Sequence, residues 1–219
     1  MEALECIKTR KSIRRFLDKE VSKDLVTEII QSALRAPSYK NSQPWNITVV
    51  SGETREKLSQ MLLFLLDKNV SPSSEIKEPE WPDFINDRIR ANAKKRNEKF
   101  GISPTDQDAL KRSKIANFNF YGAPVVIFIS QPKSLGEWSI LDAGMFIQNI
   151  LLGFHAAGLG AVPQAYLTDY AFEVKKFLQI PISQKLILGI SAGYPDNKSI
   201  MNEFISDRVY LSETLTWKD

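Results

Sequence analysis

The chain has 219 residues, of which 43% are hydrophobic and 25% charged, as in a globular domain that buries its own core. A net charge of +3 is too small for its total to indicate nucleic acid or a membrane surface as a partner. The single cysteine, Cys6, and the single histidine, His155, exclude an internal disulfide, a cysteine cluster and a multi-histidine metal site. We therefore expect no metal centre. We also expect a cytoplasmic protein, because the first sixteen residues lack the apolar run of a signal peptide.

The first third of the chain predicts three helices around one strand. Apolar spacing indicates helices over residues 2 to 9, 23 to 36 and 52 to 67, and a β-branched run indicates a strand over 45 to 50. Ser22 is the predicted N-cap of the second helix, and Pro37 ends that helix.

The middle of the chain has a weaker pattern. Residues 69 to 100 are polar, interrupted by proline and rich in basic side chains, and we interpret them as an insertion or lid of uncertain order. Two capping boxes, Thr105 with Asp108 and Ser139 with Asp142, predict where the next two helices begin.

The second half alternates helices and strands. Helices are predicted from Thr105 to near Tyr121, over 140 to 157 and over 169 to 178, with strands over 125 to 129, 158 to 166 and 185 to 192. The helix over 140 to 157 is apolar around most of its circumference, so it must be covered on all sides. This alternation predicts one α+β domain over residues 1–219, with a three-layer αβα arrangement.

A basic cluster, Arg10 to Arg15, places four cations around Ser12 within six residues. Guanidinium, ammonium and hydroxyl donors together suit a phosphate group. The same cluster is also compatible with a solvated basic turn, and the spacing alone leaves both interpretations open.

The segment from Pro37 to Trp45 combines hydroxyl and amide side chains with two prolines. Asn41 or Gln43 could bond the carbonyl and imide edge of a polar heterocycle. An ordinary connection between a helix and a strand uses the same residue types, so this alternative also stays open.

The segment from Gly158 to Gln164 contains two glycines but not a dinucleotide-binding fingerprint, because Pro163 stands where the third glycine is required. Small residues here would allow a flat ligand to approach the backbone, or Gly158 could simply end a helix before a strand. We expect His155, Cys6 and Trp45 to be packing residues. The basic run from Arg88 to Lys99 is most simply a solvated helix face, and attraction of an anionic substrate is the less favoured interpretation.

Four segments, in the same order and at similar intervals, resemble the flavin-dependent nitroreductase family. They are Arg10 to Phe16, Ala36 to Trp45, Gly193-Tyr194-Pro195 and the late Arg208. The runs 117–124 and 142–149 are most similar to the branch that includes nitrobenzoate reductases. That branch carries an inserted helical region, which implies a helical lid at about 70–113 here.

The resemblance implies a domain-swapped homodimer with a mixed, largely antiparallel central sheet and two FMN molecules bound between the chains. By position, one chain would contact the phosphate and the ribityl or pyrimidine edge of FMN through Arg10, Lys11, Ser12, Arg14 and Arg208. Residues from the other chain would approach the flavin: Pro37, Ser38, Tyr39 and Asn41. Pro163 and Gln164 would lie near flavin N5. No side chain is expected to act as a catalytic acid or base, because the flavin carries the chemistry.

The implied activity is ping-pong transfer from NADH or NADPH, through FMN, to a small planar aromatic acceptor such as a nitroaromatic or a quinone. Two alternatives keep the cofactor, namely a reductive dehalogenase or a flavin-fragmenting enzyme of the same fold. A third alternative is a non-catalytic nucleotide-binding or flavin-binding protein. A nucleic-acid-binding module is disfavoured by the near-neutral charge and the long apolar helix.

Overall fold

Four strands form one sheet in a computed structural model that describes all residues from 1 to 219. The strands are β1 (Asn46–Ser51), β2 (Val125–Pro132), β3 (Gly160–Gln164) and β4 (Gln184–Gly193). Their order is β1-β2-β4-β3, and every neighbouring pair is antiparallel. The parallel component of the sheet is an isolated bridge between Ser12 and Ala161 at its β3 edge.

Seven helices surround the sheet: α1 (Ala3–Thr9), α2 (Lys23–Ala33), α3 (Gly52–Asp67), α4 (Asp83–Lys99), α5 (Ala109–Phe118), α6 (Glu137–Ala156) and α7 (Ala171–Phe177). Helices α2 and α6 pack on one face, and α3, α5 and α7 pack on the other. These layers confirm the predicted αβα arrangement. None of the helices is both long and apolar enough to cross a bilayer.

Strand β2 lies at the centre of both packing layers. Its residues Ile127 and Ile129 point into the cluster formed with α2 and α6, whereas Val126 and Phe128 point into the cluster with α3 and α5. Complete burial of each such side chain contributes about 1.5–3 kcal/mol. A shift of one residue would exchange the two faces, so the packing fixes the register of the sheet.

Both predicted capping boxes are wrong. Helix α5 begins at Ala109 and the Asp108 side chain caps no backbone N–H, while α6 begins at Glu137, before Ser139. The Ser139 hydroxyl instead donates to the carbonyl of Gly136 at 2.6 Å. The Asp142 carboxylate accepts a bond from the Tyr39 N–H, so a tertiary contact takes the place of the local cap.

Other local predictions are confirmed. Ser22 accepts a bond from the Leu25 N–H at 3.2 Å and caps α2, although the helix ends at Ala33 rather than at residue 36. Trp45 is buried and stacks on Phe146 with ring centroids 4.6 Å apart. The segment of uncertain order contains a regular helix, α4, which has no buried residue.

Candidate functional site

The basic segment between α1 and α2 is docked on the edge strand β3. The N–H of Ile13 donates to the carbonyl of Ala161 at 3.2 Å, and the Ile13 side chain is buried. Gly160 makes this approach possible, because a Cβ atom there would lie 2.5 Å from Ile13 Cγ1. Residues 10 to 14 therefore have a fixed position relative to the end of the sheet.

Asn202, in a short turn after β4, holds the same segment from the other side. Its side-chain oxygen accepts bonds from the N–H groups of Arg14 and Arg15 at 2.7 and 3.1 Å. Its amide nitrogen donates to the Arg15 carbonyl at 2.7 Å. Asn202 is 3% exposed, so these bonds are shielded from water and orient the basic side chains.

These basic side chains form a cluster without carboxylate partners. No carboxylate lies within 4 Å of Arg10, Lys11, Arg14, Arg96 or Arg208. Burial, and the nearby charges of Arg208 and Arg14, lower the pKa of the Arg10 guanidinium. Its Nη1 atom is buried and has no hydrogen-bond partner. A buried, unpaired guanidinium nitrogen is unfavourable on its own, so the cluster is suited to an anionic ligand.

Two adjoining cavities of about 520 and 780 Å³ meet beside Arg14. Both are also lined by Arg96 and Tyr121. Burial lowers the pKa of the Arg14 guanidinium. The Tyr121 hydroxyl opposes this shift, and the nearby charge of Arg96 adds to it. These side chains therefore lie close enough to act on one ligand.

Tyr121 is held by strained backbone. Phe120 and Tyr121 have φ values of 55° and 54°, a left-handed conformation that is unusual for bulky residues and costs about 1–3 kcal/mol each. The fully buried Phe120 ring offsets part of this cost and fixes the turn. As a result, the Tyr121 ring is placed at the junction of the two cavities.

Pro163 and Gln164 lie at the end of β3 and line the larger cavity. The Gln164 amide is turned into the interior, where it donates to the carbonyl and the side-chain oxygen of Asn117 at 3.1 and 3.0 Å. Ser191 donates to its side-chain oxygen. The Gln164 side chain thus anchors the strand, which leaves the backbone edge as the part available to a ligand.

The loop after α2 is ordered by α6. Asp142 accepts bonds from the Tyr39 N–H at 3.0 Å and from the Ser42 hydroxyl at 3.3 Å. The Tyr39 ring stacks on Trp138 with centroids 5.3 Å apart. Asn41, at φ 58°, is in the left-handed conformation that asparagine tolerates. The predicted residues Pro37, Ser38, Tyr39 and Asn41 are therefore presented on a defined loop.

Within one chain, the predicted residues of the basic segment lie far from the predicted residues of the loop after α2. The loop contacts α6 at Asp142, whereas Thr9, next to Arg10, contacts α6 at His155, with 2.8 Å between Thr9 Oγ1 and His155 Nε2. Thirteen residues of helix separate these contacts, which is about 20 Å at 1.5 Å per residue. Neither of the two cavities beside Arg14 is lined by a residue of the loop.

Three residues of the site were not among the predicted site residues: Arg96, Tyr121 and Asn202. Arg96 carried a signal, because it falls in a stripe with Ile89 and Phe100 at spacings of seven and four, which places all three on one helix face. Tyr121 and Asn202 depend on a strained turn and on a long-range contact, and neither feature leaves a local pattern.

The sheet, its helical layers and the basic cluster at the β3 edge define an αβα protein with a site suited to an anionic ligand, and comparison with known proteins identifies the family. The model of the nitroreductase family matches residues 7–194, and the chain belongs to this family. The resemblance predicted from the four sequence segments is thereby confirmed.

Curated relatives include a 4-nitrobenzoate reductase from Pseudomonas putida, which is 33% identical over 201 residues covering 90% of this chain and 86% of that protein. The nitroreductase NfnB of Mycolicibacterium smegmatis is 31% identical over 209 residues, covering 95% and 89%. Among solved structures, the FMN and NADPH-dependent nitroreductase NfnB from Sphigopyxis sp. strain HMH has a TM-score of 0.95 at 27% identity, covering 100% of both chains. The FMN-dependent NfnB from Mycobacterium smegmatis, in complex with NADPH, also has a TM-score of 0.95, at 29% identity and covering 99% and 98%.

Proposed function

We propose that this chain is an FMN-dependent NAD(P)H oxidoreductase that reduces nitroaromatic or quinone-type acceptors. Family membership supports the class of reaction, and relatives named as FMN and NADPH-dependent nitroreductases support the cofactor and the donor. The observation that carries the proposal in this molecule is the buried, unpaired Nη1 of Arg10 within a cluster of cations. An anionic cofactor would supply the missing partner.

The residues present fit FMN. A phosphate group would be held by Arg10, Lys11 and Ser12, with Arg208 joining from the tail, since charges of this sign and number match a dianion. When bound, FMN supplies a two-electron relay between the nicotinamide donor and the acceptor. The backbone edge at Pro163 and Gln164 would offer hydrogen bonds to the ring.

The protein contributes charge, position and exclusion of water. Arg14 is fixed through its backbone by Asn202, and its cation would stabilise negative charge on the reduced ring system. Apolar walls from Phe100 and Ile102 in the smaller cavity would limit the water around Arg14, which would strengthen this interaction. No carboxylate or histidine lines that cavity, so acidic or basic catalysis by such groups is not part of the proposal.

We also propose a homodimer in which each cofactor site is built from both chains. A second copy would bring the Tyr39 and Asn41 loop to the basic cluster, which lies about 20 Å away within one chain. One chain leaves apolar surface for this contact, with Leu4 70% and Leu141 55% exposed. Trp217 in the extended tail is 80% exposed, in keeping with a tail exchanged between chains.

The helical region at about 70–113 would act as a lid in this proposal. Helix α4 lies over the smaller cavity, where it contributes Arg96 and Asn97. It is tied to the tail through Lys95 with Asp207 and Lys99 with Glu203, each at 2.6 Å. Exposed ion pairs of this type are weak and screened by salt, which suits an element that opens and closes.

The cytoplasm is the compartment we propose for this reaction. NAD(P)H is the donor in the proposed cycle, and the unpaired Cys6 is compatible with a reducing environment. Fractionation of cells that express the tagged chain from its own promoter would test this assignment.

An anaerobic titration tests the proposed function. The protein is purified, loaded with FMN, and titrated with NADH and NADPH while the flavin absorbance is followed. Bleaching of the flavin band, and its recovery on adding a nitroaromatic or a quinone, is expected. Halophenols serve as a comparison for dehalogenase activity. A protein that does not take up FMN would refute the proposal.

A further inference from the structure

Helix α4 carries six basic residues, and five of them are paired with carboxylates. Arg90 and Lys94 pair with acids on the helix itself, while Arg88, Lys95 and Lys99 pair with acids of the tail. Arg96 alone makes no ion pair or hydrogen bond through its side chain. It is also the only one of the six that lines the cavities beside Arg14. The pairing pattern therefore singles out Arg96 as the cation available to a ligand.

The smaller cavity is chemically suited to an aromatic anion. Its lining includes Phe100, Ile102 and Leu110 as apolar wall, and it contains Arg14 and Arg96 but no aspartate or glutamate. The larger cavity, by contrast, is lined by Glu78 and Asp169. An anionic group would therefore meet no carboxylate in the smaller cavity, whereas the two carboxylates of the larger cavity would repel it.

A third arginine in the smaller cavity is already neutralised. Arg112 pairs with Asp106, and this contact holds the pKa of the Asp106 carboxyl below its usual value. Arg14 belongs to the proposed cofactor site, where burial has already lowered its pKa. Arg96 is therefore the cation left for a second ligand.

We propose that Arg96 recognises the anionic substituent of the electron acceptor, so that the enzyme prefers planar aromatic acceptors that carry a carboxylate. This inference rests on the proposed function and assigns the substrate class of the same site. The ring would pack on the apolar wall, and the carboxylate would receive charge-assisted hydrogen bonds from the Arg96 guanidinium. The 2′-phosphate of NADPH, which NADH lacks, offers the same chemistry, and the experiment separates these two sources.

Arg96→Met is the test variant, because methionine keeps an unbranched apolar stem and removes the charge. Arg90→Met on the same helix is the matched control, since Arg90 pairs with Asp87 at 3.0 Å and lines neither cavity. Both variants are loaded with FMN. The binding of benzoate and of neutral benzamide is then measured from the change in the flavin spectrum. The value of kcat/KM is measured with 4-nitrobenzoate and with nitrobenzene, and KM is measured for NADPH and for NADH.

The Arg96→Met change is expected to weaken benzoate binding, and to lower kcat/KM for 4-nitrobenzoate, by about 10- to 100-fold, as for loss of a hydrogen bond to a charged group. Benzamide binding and kcat/KM for nitrobenzene should change by less than about threefold. The Arg90→Met variant should match the wild type in all of these measurements.

Three results would overturn the inference. They are an equal loss for charged and neutral acceptors, a loss confined to KM for NADPH relative to NADH, and unchanged benzoate binding. The second result would assign Arg96 to the nucleotide phosphate. If the wild type reduces neither of these nitroaromatics nor a quinone, the proposed function fails, but benzoate binding to the FMN-loaded protein still tests the role of Arg96.

Discussion

Gly160→Ala should dislodge the basic segment without altering any basic residue. The new Cβ would lie 2.5 Å from Ile13 Cγ1 and 2.8 Å from Ile13 Cβ. Carbon atoms in contact sit about 3.5–4.0 Å apart, so Ile13 must move by roughly 1 Å. Such a movement lengthens the 3.2 Å bond from the Ile13 N–H to the Ala161 carbonyl beyond hydrogen-bonding range.

The expected cost has two parts. Overpacking at a buried position lowers the free energy of unfolding by about 1–3 kcal/mol. Displacing Arg10 and Arg14 by a similar distance should weaken FMN binding by about 10- to 100-fold, because charge-assisted bonds depend on position. Denaturant unfolding of the apoprotein measures the first part, and fluorescence titration with FMN measures the second.

Gly136→Ala provides the control, because a Cβ atom at Gly136 would meet nothing within 4 Å. This variant should keep the wild-type affinity for FMN and change stability by less than about 1 kcal/mol. Wild-type affinity and stability in Gly160→Ala would refute the argument that docking on β3 positions the basic segment.

Three further predictions follow from other contacts. Arg10→Met should weaken FMN binding by about 10- to 100-fold while the apoprotein loses no stability, because Nη1 is buried without a partner; melting curves with and without FMN test this, and a destabilised apoprotein would contradict it. Asn202→Ala removes four buried bonds to the Arg15 and Asp196 segments and should lower the unfolding free energy by about 2–4 kcal/mol in urea; a loss below 1 kcal/mol would show that this side chain is dispensable. Glu75→Gln should cost about 3 kcal/mol at pH 7, because the buried Lys175 loses its 2.6 Å carboxylate partner. Burial alone would raise the pKa of the Glu75 carboxyl, but bonds from Lys133, Lys175 and the Leu186 N–H lower it overall. The stabilisation that Glu75 gives the folded protein is therefore fully present above the pKa of the unfolded chain. It is lost as the pH falls through the lower pKa of the folded protein. The stability gap between wild type and variant should therefore close as the pH falls below about 4.5, and a gap that is independent of pH would contradict this assignment.

The layers and the central strand were predictable from the sequence because they depend on local periodicity. Residues 125 to 129 read as a strand buried on both faces, and β2 is buried on both faces. The two capping boxes failed because tertiary contacts took the place of local ones: Asp142 serves the Tyr39 loop rather than its own helix.

The candidate site was only partly predictable for the same reason. The order of the segments and their residue types were enough to predict Arg10, Arg14 and Pro163 as residues of the cofactor site. Asn202 acts through a contact across 188 positions of chain, which no local pattern encodes. Arg96 lies on one helix face with Ile89 and Phe100, but the sequence does not show that the five other basic residues of α4 are paired with acids and that Arg96 is not.

The central claim, a cofactor site built from two chains, is tested most directly by mixing two defective chains. One carries Arg10→Met. The other carries Asn41→Gly, which removes the amide and keeps the left-handed backbone at φ 58°. Each variant homodimer is first shown to bind FMN more weakly than the wild type, so that both changes count as defects. The two chains then carry different tags, are co-expressed, and the heterodimer is isolated through both tags.

A site shared between chains places both defects in one site of the heterodimer and none in the other. The account therefore predicts one FMN bound with wild-type affinity per heterodimer, and about half the wild-type activity. A site contained within one chain would leave every site with one defect. In that case no FMN would bind with wild-type affinity, and the account would be contradicted.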